Sequence, residues 1–181
     1  MTATALIVID MLNPYDHEDA DRLTASVQRV LAPLQRLIHE ARTRGIDTVY
    51  VNDNHGDWSA GRSELVQRAL AGAAPQLIEP MAPPPELPFV VKRRHSIFYQ
   101  TLLEYLLHER EVRRIILAGQ VTEQCILYSA LDAYLRHFVV FVARDCVAHI
   151  HEDLAEAALQ MMERNMHAEV ASTVDEALDQ L

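Results

Sequence analysis

The sequence predicts an α/β fold, a three-layer doubly wound sheet of about six mainly parallel strands within a single domain over residues 1–181. Two observations carry this expectation. Short apolar runs rich in β-branched residues alternate with segments whose apolar residues recur three and four apart, the pattern of strands joined by crossover helices. The principal runs also stop at polar residues, as buried parallel strands do where their carboxyl ends meet a ligand crevice. Right-handed crossovers then place helices on both faces of the sheet.

Ala5 to Ile9 is the first such run, and it ends at Asp10. From about Asp21 to Arg44, Leu23, Val27, Val30, Leu34, Leu37, Ile38 and Ala41 form one helical stripe, closed by Gly45. Pro33 lies inside that stripe and is expected to kink or divide the helix, because it lacks a backbone donor and its ring clashes with the preceding turn. Asp47 to Val51 is the second strand. Asn52 to Arg62 is a polar loop holding the chain's only tryptophan, Trp58, and is expected to lie over the pocket. Ser63 is expected to cap a short helix to Leu70, and the proline-rich stretch from Met81 to Pro88 reads as an extended connection. Phe89 to Val91 is the third strand, ending at Lys92. Thr101 and Glu104 have the spacing of a capping box for a helix to about Arg110. Ile115 to Ala118 is the fourth strand. A fifth follows from Phe138 to Ala143 with Asp145 at its end, then a helix near Glu152 to Asn165. A short sixth strand, Ala168 to Ala171, precedes a last helix capped by Thr173 with Glu176.

Composition narrows the function classes. The chain has 181 residues, 50% of them hydrophobic and 23% charged, enough for a sizeable core. Sixteen Lys and Arg against 26 Asp and Glu give a formal charge of −10, which argues against nucleic acid or an anionic membrane surface and for a small-molecule partner. Two cysteines, Cys125 and Cys146, without C-x-x-C spacing exclude a disulfide framework or a cysteine-rich zinc site and suit a reducing cytoplasm. The apolar N-terminal stretch lacks a basic leader region and is too short to span a bilayer.

The chemistry concentrates between Ile115 and Ala130, where an apolar strand passes through Gly119 and a polar turn into a helix. Thr122 is the expected N-cap, which puts Cys125 in the first helical turn, where free N–H groups and the macrodipole favour a thiolate. Asp10, Lys92 and Cys125 each follow or end a different strand. Together they form an apparatus for attack on a carbonyl: Asp10 takes the thiol proton and Lys92 holds the thiolate. Asp10 also opposes the thiolate by like charge, so the three titrate as one system. Taken singly, a strand-end Asp is often a cap, Lys92 with Arg93 and Arg94 a basic patch, and a cysteine at a helix start a core residue.

The sequence resembles the isochorismatase-like cysteine hydrolases, which include nicotinamidases and N-carbamoylsarcosine amidohydrolases. The likeness runs nearly end to end and is carried by VID at Val8 to Asp10, VNDNHGDW at Val51 to Trp58, KRRHSIFYQTLLEYLL at Lys92 to Leu107, and AGQVTEQCILYSALDAY at Ala118 to Tyr134. The resemblance implies a Rossmann-like sheet, a catalytic triad of Asp10, Lys92 and Cys125, and a cis peptide between Gln120 and Val121. It further implies that the Val121 and Cys125 N–H groups form an oxyanion hole. The implied reaction is a two-step hydrolysis of a C–N bond in a small non-peptide amide or ureide, through a thioester on Cys125, by a cytoplasmic homo-oligomer.

Two departures bear on what carries over. Nicotinamidases place a zinc or similar ion near the triad with an Asp-x-His start and further histidines. Asp53 and His55 match only that start, and no histidine occurs between His55 and His95, so neither metal nor other cofactor is expected. Authentic isochorismatases lack the nucleophilic cysteine, so Cys125 points to amide rather than ether chemistry. Candidate substrate contacts are Asn52 and Asp53 at a strand end, Trp58, Phe98, Tyr99 and Tyr128 as stacking surfaces, and Arg94 as a carboxylate partner. His149, His151 and His167 read as surface or capping residues. A non-enzymatic thiol redox-sensing or small-molecule-binding module on the same fold is the alternative, and Asp10 discriminates, since a sensor needs no proton acceptor. No G-x-G-x-x-G or Walker pattern follows any strand, which sets aside a nucleotide-binding domain.

Overall fold

The computed structural model describes residues 3–179. In chain order it contains β1 (Ala3–Ile9), α1 (Ala20–Thr43), β2 (Asp47–Asp53), α2 (Arg62–Leu70), α3 (Pro75–Ile78), β3 (Phe89–Lys92), α4 (Leu103–Glu109) and β4 (Val112–Gln120). A π-helical turn, Thr122–Ile126, leads into α5 (Leu127–Leu135), followed by β5 (Val139–Ala148), α6 (Glu152–Met166), β6 (Glu169–Ala171) and α7 (Val174–Asp179). The six strands form one sheet in the order β3-β2-β1-β4-β5-β6, and every pairing is parallel. The sequence order reverses between β1 and β4. That is the topological switch point, where the loops after the two strands part and leave a crevice.

The strands sort their side chains with a period of two onto two cores. Leu6, Val8, Ile116 and Ala118 face α1, α2, α3 and α7, whereas Ala5, Ile7, Ile9, Ile115 and Leu117 face α4, α5 and α6. Both faces are apolar, which is why the strands read as continuous hydrophobic runs.

Pro33 does not divide α1, which runs unbroken from Ala20 to Thr43. The stripe is buried on both sides of it, with Leu23, Val27 and Val30 before and Leu34, Leu37 and Ala41 after. Burying each of these Leu and Val side chains is worth about 1.5–3 kcal/mol, so the stripe outweighs a proline penalty of about 3 kcal/mol. Caps depart from expectation too. Gly61 rather than Ser63 precedes α2, its N–H bonded to Glu64. Thr101 bonds the Ile97 carbonyl while Glu104 pairs with Arg136, so no capping box forms before α4. At α7 the Thr173 hydroxyl accepts the Glu176 N–H as expected. His151 and His167 occupy the two cap positions of α6.

Strands β4 and β5 are longer than the apolar pattern suggests, because parallel pairing continues through polar residues. Leu117 pairs with Val142 but Gly119 pairs with Val147, and the extra residues of β5 bulge out between them. Asp145 lies in that bulge and accepts the Val174 N–H at the start of α7, so it does not end a strand at the crevice.

Gly119 holds the switch point together. Its φ is +116°, and a Cβ there would lie 2.2 Å from the Ile9 carbonyl oxygen, just before Asp10. Gly119→Ala is expected to cost about 3–5 kcal/mol in denaturant unfolding, as backbone strain and overpacking combine. Gly45→Ala, at φ +71° with nothing within 4 Å of the added carbon, is expected to cost only about 1 kcal/mol.

Candidate active site

Asp10 is the first residue beyond β1. It adopts a left-handed φ of 56°, and its N–H bonds the Val51 carbonyl at 2.9 Å, which turns the chain out of the sheet. The buried carboxylate is held from two sides: Oδ1 accepts the Asp53 N–H and Oδ2 the Lys92 ammonium, both at 2.8 Å. Lys92 ends β3, two strands away, and its side chain is 1% exposed. Its Nζ also donates to the Arg94 carbonyl at 3.1 Å and to Cys125 Sγ at 3.5 Å. The structure thus brings together the acid, ammonium and thiol that the sequence places on three different elements.

Burial disfavours the Lys92 charge, but the acidic partners, Asp10 first, outweigh it and hold its pKa above the ordinary lysine value. The ammonium is therefore a fixed cation. Stripping its partner from a buried pair of this kind costs about 3–5 kcal/mol.

Cys125 behaves differently from the sequence expectation. Burial first, and Asp10 second, push its thiol pKa well up, and Lys92 offsets only part of this. The start of the helix explains the difference. Thr122 is not an N-cap: its hydroxyl donates to the Ala148 carbonyl, and Thr122–Ile126 form a π-turn whose amides at Gln124 and Ile126 both bond the Val121 carbonyl. Two of the first-turn donors that would stabilise a thiolate are thus already satisfied. The Glu123 carboxylate fastens the turn to the segment before α6 by accepting the Ile150 and His151 N–H groups. Cys125 rests as a thiol beside an Asp10–Lys92 ion pair.

These residues line a cavity of about 280 Å³ with Asp53, His55, His95, Gln120, Val121 and Gln124. This is small for a ligand pocket and suits a small molecule. The Gln120–Val121 peptide is cis. Gln120 is fully buried, its amide donating to the Asp10 carbonyl at 2.6 Å and accepting the Tyr15 hydroxyl at 3.4 Å.

The candidate substrate contacts divide. Asp53 lines the cavity, and its carboxylate accepts the His55 N–H at 2.7 Å and stands 3.7 Å from Arg93. Asn52 is buried and spent on the N–H and carbonyl of Leu12. Phe98 is a core residue, stacked on Phe138. Trp58, Arg94 and Tyr99 line a neighbouring cavity of about 530 Å³, and Trp58 is 81% exposed. Tyr128 does not line the thiol's cavity but backs His95 there. His95 and Gln124 were not singled out from the sequence. The available signal was position, three residues after Lys92 and one before Cys125.

The donor set does not fit a metal ion. Among the described residues no group of three or more His, Cys, Asp and Glu side chains is placed to hold one. His55 Nε2 lies 2.8 Å from the Leu12 carbonyl, and since a carbonyl only accepts, that nitrogen carries the proton and Nδ1 is the ring's one remaining acceptor.

The isochorismatase domain family model matches residues 4–175. The uncharacterized isochorismatase family protein YaaI of Bacillus subtilis is 32% identical over 93% of each chain. Maleamate amidohydrolase of Pseudomonas putida is 29% identical over 86% of this chain and 76% of that one. The crystal structure of the nicotinamidase SaPncA from Staphylococcus aureus superposes with a TM-score of 0.73 at 26% identity, covering 95% of this chain and 99% of that chain.

Proposed function

The chain belongs to the isochorismatase family and hydrolyses non-peptide C–N bonds, and from that premise we propose that it acts on a small amide or ureide through a thioester on Cys125. The observation that supports this best is the convergence of Asp10, Lys92 and Cys125 at the switch point, with Lys92 Nζ 2.8 Å from the carboxylate and 3.5 Å from the sulfur. When an amide fills the cavity, Asp10 takes the thiol proton and the sulfur attacks the carbonyl carbon. Backbone N–H groups of Val121 and Cys125 form the oxyanion hole, and Asp10 passes the proton to the leaving nitrogen. Asp10 then activates the water that splits the thioester. Lys92, bonded to the Asp10 carboxylate and to the sulfur, balances the thiolate as it forms.

The test is incubation with a panel of amides, ureides and carbamoyl compounds that includes nicotinamide and maleamate. Released ammonia or amine and an acyl adduct on Cys125 by intact mass are the expected signals. No turnover across the panel, with no adduct, would count against the reading. Hydrolysis is expected to persist in EDTA, because Asp53 and His55 lack a third ligand. Loss in EDTA with restoration by zinc or manganese would reverse that conclusion. A cytoplasmic homo-oligomer belongs to the same proposal. Exposed Leu102 and Tyr105 beside and on α4, with Leu131 and Leu135 on α5, support self-association, which sedimentation tests.

A further inference from the structure

The neighbouring cavity of about 530 Å³ is nearly twice the size of the thiol's, and of the described residues that line it only Lys92 takes part in the proposed hydrolysis. Three cations line this larger cavity. Lys92 is answered by Asp10 at 2.8 Å and Arg93 by Asp53 at 3.7 Å, both acids of the smaller cavity. Arg94 differs. Its carbonyl takes the Lys92 ammonium, but its exposed guanidinium has no acid within ion-pair distance among the described residues. Asp57, the one acid among the described lining residues, is turned to Ser59, accepting its N–H at 2.9 Å and its hydroxyl at 2.7 Å.

Asn54 adds a donor. It is 3% exposed, and its Oδ1 accepts the Gly56 N–H at 2.9 Å, which identifies the other terminal atom as the amino group. No described residue accepts from that amino group, so a buried side chain keeps a free donor at the cavity it lines. Trp58 and Tyr99, 81% and 52% exposed, supply two aromatic faces. A guanidinium fork, an amide donor and flat rings in one cavity are the complement of a planar anion: the fork matches two carboxylate oxygens, and the rings cover a flat face. We propose that this second cavity binds a small planar carboxylate, its oxygens held by the Arg94 guanidinium and the Asn54 amino group and its face set against Trp58 and Tyr99.

Trp58 is the chain's only tryptophan, so its fluorescence reports on this cavity in the whole protein without any turnover. Titration with benzoate is expected to give a saturable change, half-complete at about 1 mM or below. Benzyl alcohol, the same ring without the carboxylate, is expected to bind at least about tenfold more weakly. Arg94→Ala is expected to weaken benzoate at least about tenfold, and Arg94→Lys to restore part of the affinity as a point charge without the fork. Because the Arg94 side chain is exposed and only its carbonyl bonds Lys92, both variants are expected to fold, which circular dichroism checks. Calorimetric titration covers a bound ring that leaves Trp58 emission unchanged. No saturation by either measurement, benzyl alcohol binding within about tenfold of benzoate, or a loss below about tenfold in Arg94→Ala overturns the proposal. Any amide that turns over then separates two sources of the carboxylate. Benzoate that competes with it marks the cavity as the seat of the substrate's own far end, and benzoate that binds without competing marks a separate carboxylate ligand. An inert panel counts against the hydrolase reading alone, since the titration needs no turnover.

Discussion

Cys125→Ala and Cys125→Ser are expected to lower turnover on any substrate found by the panel by on the order of a thousandfold or more, while Cys146→Ser leaves it nearly intact. The two thiols are both buried and both have their pKa pushed up by burial, so neither ionisation nor exposure separates them. Placement does. Cys146 lies in the β5 bulge, packs in the core against α1 and α7, and faces only the neighbouring Asp145 carboxylate at 3.5 Å. No ammonium stands beside it. Cys125 has Lys92 at 3.5 Å, Asp10 beside it and a cavity in front. Losing the nucleophile removes the whole two-step route, so the fall is not limited to one contact. Steady-state release of ammonia or amine measures it, and full turnover by Cys125→Ala would sink the assignment.

The proposed triad is legible in the sequence because its three members interrupt or follow apolar runs, and a doubly wound topology gathers such positions at one edge. Asp10, Lys92 and Cys125 needed only that pattern. The state of the thiol was not legible in the same way. It depends on Thr122 turning to the Ala148 carbonyl, 26 residues away in the chain, and on a π-turn replacing a capped α-helix, which no local apolar pattern announces. The Asn52 and Phe98 expectations failed for a related reason. A polar residue at a strand end and an aromatic after a basic patch suit a substrate, but Leu12 and Phe138 claim them first. Pro33 shows the converse, a strong local signal outweighed by burial along both halves of α1.

Asp10→Asn is expected to separate two properties that a merely reactive thiol would keep together. Asparagine cannot accept the proton of the hydrolytic water or carry a proton to the leaving nitrogen, so hydrolysis should fall by on the order of a hundredfold or more. Alkylation by iodoacetamide needs only a thiolate. Since burial and then the Asp10 carboxylate push the Cys125 pKa up, the wild-type alkylation rate should keep climbing as pH rises beyond 8.5, about the ordinary thiol value. Removing that like charge in Asp10→Asn should move the climb to lower pH, making alkylation faster near neutrality while hydrolysis is lost. Lys92→Ala should do the reverse, slowing alkylation, because the thiol loses its offsetting cation. It also leaves Asp10 buried without its ammonium, so a thermal melt must accompany the rate. Alkylation rate against pH for the three proteins, set beside their hydrolysis rates, decides the matter. If Asp10→Asn hydrolysed at near the wild-type rate, the proton-transfer role would be wrong, and a thiol serving as a redox sensor on the same fold would fit the centre better.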